Sequence, residues 1–258
     1  MPISGPGHAL FALTLAALGV SGILRGDFTA IWQPVPEGLP AREALAYVCA
    51  LVALAAGAGL PCRRSAPTAA LALTAWLLLW LLLFKGRLVW LAPADAASWE
   101  ACGETAVLLA AAWVLHAQIS DGRRLGFAAG DAGLHTARSI YSLALVAFGI
   151  AHLAYVKETA ALVPAWLPSP ASWVYLTGCT YIAAGAAALV GIWARLAATL
   201  SAVQIGSFTL LVWVPPLAAG SKDAGQWSEA VISWALTAGA WVVAESYRGT
   251  PWHAVGKR

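Results

Sequence analysis

Few residues in this chain could do chemistry. His152, Glu104 and Glu229 are ionisable side chains that fall inside or at the edge of long apolar runs. An ionisable group in such a place is costly and is a functional candidate by default. Tyr155, Tyr175 and Tyr181 add phenolic tips, Gln204 an amide and Trp166 an indole. One His and two carboxylates at similar depth suit a proton-linked pair, a quinone head group or a metal. The spacing carries no metal signature, because each residue stands on a different apolar run and no His-x-x-His or Glu-x-x-His occurs. The expected ligand-binding set is His152, Glu104, Glu229, Tyr155, Tyr175, Tyr181, Gln204 and Trp166, with no catalytic residue and no metal ligand. The plainer alternative is that His152 bonds a neighbouring helix while the carboxylates reach the membrane interface. No nucleophile–base pair, Walker pattern or dinucleotide fingerprint occurs on any loop. The four cysteines, Cys49, Cys62, Cys102 and Cys179, form no Cys-x-x-Cys pair, and three of them read as small apolar side chains.

The elements that must position these groups follow from composition. Of 258 residues, 60% are hydrophobic and 10% charged, with a net charge of +3. Mean hydropathy is +0.74. A soluble domain carries about 25% charge, so this chain cannot coat a soluble surface. Disorder and nucleic-acid binding through basic patches are excluded on the same ground. The lipid bilayer is the expected partner. Each membrane-crossing helix needs about 20 apolar residues, and eight runs of that kind are present. They fall at His8–Leu24, Glu43–Leu60, Thr68–Phe84, Trp99–Gln118, Ala137–Val156, Ala171–Trp193, Arg195–Val214 and Trp227–Tyr247. Prolines and glycines separate them. No Lys or Arg precedes the first run, so it reads as a retained helix.

Eight crossings put both ends of the chain on one side. That side holds Arg63, Arg64, Arg123, Arg124, Arg138, Arg195, Arg248, Lys257 and Arg258. The other holds Arg25, Arg42, Lys85, Arg87, Lys157 and Lys222. The bias predicts cytoplasmic termini. His152, Glu104 and Glu229 then lie toward the external face. Arg64 and Arg195 are expected to meet lipid head groups.

The chain also matches itself. A shift of 130 residues places Leu13, Gly19, Thr29, Pro34 and Cys49 on Leu143, Gly149, Thr159, Pro164 and Cys179. A shift of 131 places Arg64 on Arg195, and a shift of 128 places Trp99 on Trp227 and Trp113 on Trp241. The expected fold is an all-α polytopic membrane protein of eight transmembrane helices. They form two parallel-related four-helix repeats, 1–120 and 139–258, joined by a cytoplasmic linker, 121–138. Four crossings per repeat is an even number, so the repeats share one direction in the membrane. The loops 25–40 and 157–170 carry too much apolar surface for water, with Phe28, Ile31 and Trp32 in one and Leu162, Val163 and Trp166 in the other. They are expected to lie in the interface or to fold back over the bundle as caps.

From Ser139 to Tyr247 the sequence resembles the DoxX-like family of bacterial integral membrane proteins. The residues that carry this are Phe148-Gly149-Ile150-Ala151-His152, then 159–168 (Thr-Ala-Ala-Leu-Val-Pro-Ala-Trp-Leu-Pro), Ala183-Ala184-Gly185-Ala186 and Ala194-Arg195-Leu196-Ala197-Ala198. The resemblance covers the second repeat well and the first weakly. It implies a four-helix module of the bacterial inner membrane, more accessory than catalytic, that serves a quinone-linked or thiol-linked redox partner. A quinone or similar amphipathic molecule would sit in the external half. Many relatives carry a Glu where Tyr181 stands here, with Leu51 as its partner in the first copy. The competing expectations are a small-solute carrier or channel, and an assembly protein without a ligand. An oligomer is compatible with each.

Overall fold

The computed structural model describes residues 5–119 and 128–256. Asp121, Arg123, Arg124, Lys257 and Arg258, which enter the charge count and the linker, lie outside the described residues. Every named element among the described residues is helical. The long helices are α1 (Pro6–Arg25), α2 (Arg42–Gly59), α3 (Ala66–Leu91), α4 (Ala96–Ile119), α5 (Gly130–Ala154), α6 (Pro170–Val190), α7 (Ala194–Ala218) and α8 (Ala224–Ser246).

Seven of these, α1 to α7, are long and apolar enough to cross a membrane. α8, the eighth expected run, has 23 residues and is long enough. Gln226, Ser228 and Glu229 in its first turns keep its mean hydropathy below that of the other seven. The outside of the bundle is apolar, as lipid contact requires: Leu13, Leu24, Leu82, Trp90, Leu200 and Leu210 are all exposed.

α4 is the central helix and packs against α3, α5 and α8, while α8 also packs against α1. Val107, Leu109, Ala110, Ala111, Ala112 and Val114 on α4 all have zero exposure. Two glycine-lined crossings hold the other pairs. A Cβ at Gly57 would stand 2.4 Å from the backbone N of Ala16, and one at Gly19 would stand 2.5 Å from Leu54 N. Between α5 and α6, a Cβ at Gly185 would stand 2.5 Å from Ser142 O, and one at Gly149 would stand 2.5 Å from Gly178 O. Only residues without a side chain let these backbones come so close.

Those contacts recur at fixed spacing. Gly57 to Gly185 is 128 residues, and so are Leu54 to Ile182 and Ala50 to Gly178. Gly19 to Gly149 is 130. Both α3 and α7 contain one π-helical turn, at Leu81–Lys85 and Thr209–Trp213, again 128 apart. Ala41 and Ser169, also 128 apart, both enter the next helix at φ 53, a left-handed conformation uncommon for non-glycine residues. Trp99 and Trp227 each donate an indole N–H to a carbonyl six residues upstream, Pro93 and Ser221, at 2.9 Å. At the spacing of 128 the starts of α3 and α7 coincide and Cys49 falls on Thr177, whereas residue identity pairs Cys49 with Cys179 at 130 and Arg64 with Arg195 at 131. Cys49 is buried and Cys179 exposed, as residues in different settings should be.

The loops after α1 and α5 differ. In the first, Phe28, Ile31, Trp32 and Val35 are buried against the bundle. Trp80 on α3 lies 5.2 Å from Trp32 and 4.2 Å from Phe84 between ring centroids. In the second, Leu162 and Trp166 stay exposed. Lys85, counted above as an external loop charge, is fully buried in the π turn of α3, and its ammonium donates to the carbonyl of Gln33. Arg195 is not free for head groups either. It donates to Thr250 O at 3.0 Å and lies 4.0 Å over the ring of Trp252.

Candidate functional site

The carboxylates of α4 sit four residues apart, so Glu100 and Glu104 share one helix face. That face looks into a cavity of about 600 Å³ at the ends of the helices beside the loop that follows α5. α5 adds Phe148, Ala151 and His152 from its last turns, and Tyr155 follows directly. α6 adds Tyr181, and α8 adds Glu229 and Ser233. α7 adds Phe208 and Trp213, which flank and close its π turn. A π turn shifts the residues beyond it around the helix axis, and such turns are frequent at functional sites.

The cavity has an aromatic wall. The ring of His152 lies 5.4 Å from Tyr181 and 5.5 Å from Phe208, edge-on to both. Tyr181 and Phe208 are nearly parallel at 6.4 Å, and Phe148 meets Tyr181 edge-on at 6.0 Å. His152 Nδ1 bonds the carbonyl of Phe148 at 2.9 Å, which fixes the ring. Its Nε2 is buried and has no hydrogen-bond partner among the described residues. Glu100, Glu104 and Glu229 make no hydrogen bond or ion pair among the described residues, yet each carboxyl group lies within electrostatic reach of another. Glu104 also feels the charge of Lys85. At the rim, the Tyr155 hydroxyl donates to the Asp95 carboxylate. That bond, with help from the N–H of Ala97, holds Asp95 below the usual carboxylate range and pushes the Tyr155 phenol up.

A second cavity of about 300 Å³ adjoins the first, and the two share Thr159, Leu162 and Phe208. Its walls are largely apolar, with Val163, Trp166, Trp173, Val174 and Leu211 among them. It runs between α6, α7 and the loop that follows α5.

Of the expected site residues, His152, Glu104, Glu229, Tyr155 and Tyr181 converge on the first cavity. Trp166 and Gln204 line the adjoining one. Gln204 is also committed to α6: it donates to Thr177 O at 3.0 Å and accepts from Thr180 Oγ1 at 2.7 Å. Tyr175 lines neither cavity and points outward, 53% exposed. Sequence reasoning missed Glu100 and Glu158 on the lining, and it missed the buried Lys85. The four-residue spacing to Glu104 was the signal that pointed to Glu100. No group of three or more His, Cys, Asp or Glu residues that could hold a metal occurs among the described residues.

At the recurring spacing, larger side chains stand in the first half of the chain where smaller ones line the cavities in the second. Trp80 occupies the position 128 residues before Phe208, and Trp32 the position 130 before Leu162. Where the second unit has His152 against Gly178, the first has Gly22 against Ala50.

A family described as Domain of unknown function (DUF8561) matches residues 141–244. That stretch is similar to the family over most of α5 through α8, and it leaves out Glu100 and Glu104. No curated protein and no solved structure matches the chain.

Proposed function

We propose that this chain is a DoxX-like protein of the bacterial inner membrane that holds one amphipathic small molecule at its external face for a redox partner, without catalysing a reaction itself. The single observation that carries this reading is the pair of joined cavities, one polar and one apolar, sharing Thr159, Leu162 and Phe208. A pocket with a few convergent polar groups beside a largely apolar extension suits a molecule with a head and a tail. The head would meet His152, Tyr181 and the carboxylates, and the tail would lie along Trp166 and Leu211. A quinone is the head group that the family resemblance suggests.

Eight helices of 18 residues or more, seven of them apolar enough to cross a membrane, together with the charge bias, support eight crossings with both termini in the cytoplasm. The recurring contacts support a tandem duplication with one membrane sense. The solid middle of α4 counts against the carrier alternative in this conformation, since six of its residues have no exposure at all.

The reading is tested by mass spectrometry of the organic extract from protein purified in a mild non-ionic detergent. A co-purifying amphiphile present at about one per chain, and lost on His152→Ala with Phe208→Ala, is the expected result. An extract that matches an unrelated membrane protein prepared in parallel would remove the proposal.

A further inference from the structure

Resting on the amphiphile reading above, we infer that the head group held in the polar cavity is a cation, an amine or quaternary ammonium, and not a neutral quinone. The argument begins with charge. Glu100, Glu104, Glu158 and Glu229 all line the cavity, and no Lys or Arg does. Glu229 stands exposed at the mouth, and Glu100 and Glu104 lie half-buried further in. None of these three carboxyl groups has a hydrogen bond or ion pair among the described residues. Lys85 reaches Glu104 only at a distance, and its ammonium is spent on the carbonyl of Gln33. Carboxylates close together in a poorly solvated site repel one another, and a bound cation relieves that repulsion.

The second observation does not depend on the carboxylates. The inner wall is aromatic, formed by Tyr181, Phe208, Phe148 and Trp213. Ring faces attract a cation through their quadrupole, and aromatic walls are a recurrent way of holding quaternary ammonium groups. His152 adds, between two of those rings, a buried Nε2 with no hydrogen-bond partner among the described residues. Carboxylates and ring faces are complementary to one kind of head group, a positively charged one. The apolar cavity continues from the same Phe208, so an alkyl chain on the nitrogen has a place to go.

Another pocket provides an internal comparison. It has a volume of about 360 Å³ and lies between α1, α7 and α8. Arg25 lines it and no carboxylate does. The acidic lining therefore distinguishes the α4–α5 pocket from this one.

The test uses the full chain in nanodiscs of phosphatidylcholine, with empty nanodiscs as the blank. Three probes with the same ten-carbon tail are compared by equilibrium dialysis: decyltrimethylammonium, decylubiquinone and decanoate. The expected result is that the ammonium binds about tenfold tighter than the other two. The double variant Glu100→Gln with Glu104→Gln should remove that preference, so that the ammonium binds no tighter than the quinone in the same variant. Glu229→Gln, at an exposed position that folding does not depend on, should lower ammonium affinity in the same direction. Quinone binding as tight as ammonium, or ammonium binding that no Glu→Gln change moves, overturns the cation assignment and leaves the amphiphile reading standing. If no probe binds above the blank, both fall.

Discussion

The indole N–H of Trp80 donates to the carbonyl of Trp32 at 3.2 Å, across a chain separation of 48 residues, and this contact closes the outer chamber of the first unit. Both rings are almost wholly buried. Their counterparts in the second unit, Phe208 and Leu162, leave the chamber open. Trp32→Ala should therefore create a hole where none exists. Its expected cost is about 3–5 kcal/mol, measured as a lowered thermal unfolding midpoint in detergent. Leu162→Ala removes a side chain that is already 45% exposed and should cost much less.

The glycine crossings give a paired prediction. Gly57→Ala and Gly185→Ala each place a methyl group within about 2.5 Å of a neighbouring backbone atom, which forces the helices apart. Each should destabilise by about 1–3 kcal/mol. Gly38→Ala, where nothing lies within 4 Å, should be silent. Thermal unfolding of the three variants side by side decides it. Equal midpoints for all three would show that these crossings are not close-packed.

Lys85 couples the loop after α1 to the polar cavity. Lys85→Met leaves the Gln33 carbonyl without its donor and Glu104 without its nearest cation. The expected loss is about 1–3 kcal/mol. Adding Glu104→Gln to Lys85→Met should cost less than the two changes cost separately, because the second removes a charge that the first leaves uncompensated. A double-mutant cycle on unfolding free energies measures this coupling. Strict additivity would count against an electrostatic link.

The Asp95–Tyr155 bond sets a pH dependence of known sign. The carboxyl group of Asp95 is held below its ordinary value in the folded protein, chiefly by the Tyr155 hydroxyl. Its contribution to stability is therefore complete above the ordinary carboxyl value and is lost as pH falls through the lowered one. Tyr155→Phe should move Asp95 back up toward the ordinary range. Infrared titration of the carboxylate band, with Asp95→Asn to assign it, checks the direction. Asp95 is exposed and Tyr155 only partly buried, so the effect on overall stability is small.

Much of the fold was legible because hydropathy reports the solvent directly. The run His8–Leu24 became Pro6–Arg25, and Trp99–Gln118 became Ala96–Ile119. α3 was cut short at Phe84 because Lys85 looks like a loop residue. The helix instead runs on to Leu91, since a π turn swings that ammonium onto the Gln33 carbonyl. α7 was likewise ended at Val214, although Pro215 and Pro216 fall at the first positions of a new helical turn, where missing N–H groups do no harm. Register between the halves was harder to read. Identity pairs Cys49 with Cys179 at 130, whereas the backbone contacts through Gly57 and Gly185 recur at 128. In the site, depth along each span brought His152, Glu104 and Glu229 together. Helix face, which depth ignores, would have added Glu100 and removed Tyr175.

The unbroken apolar middle of α4 has one last consequence. Under the proposed function, a molecule in the acidic cavity would sit above a closed stretch of α4 in which Val107 and Leu109 have no exposure. In this conformation a guest departs by the way it came or slips sideways among the lipid tails of the same leaflet. Exchange would then be governed by what that leaflet contains.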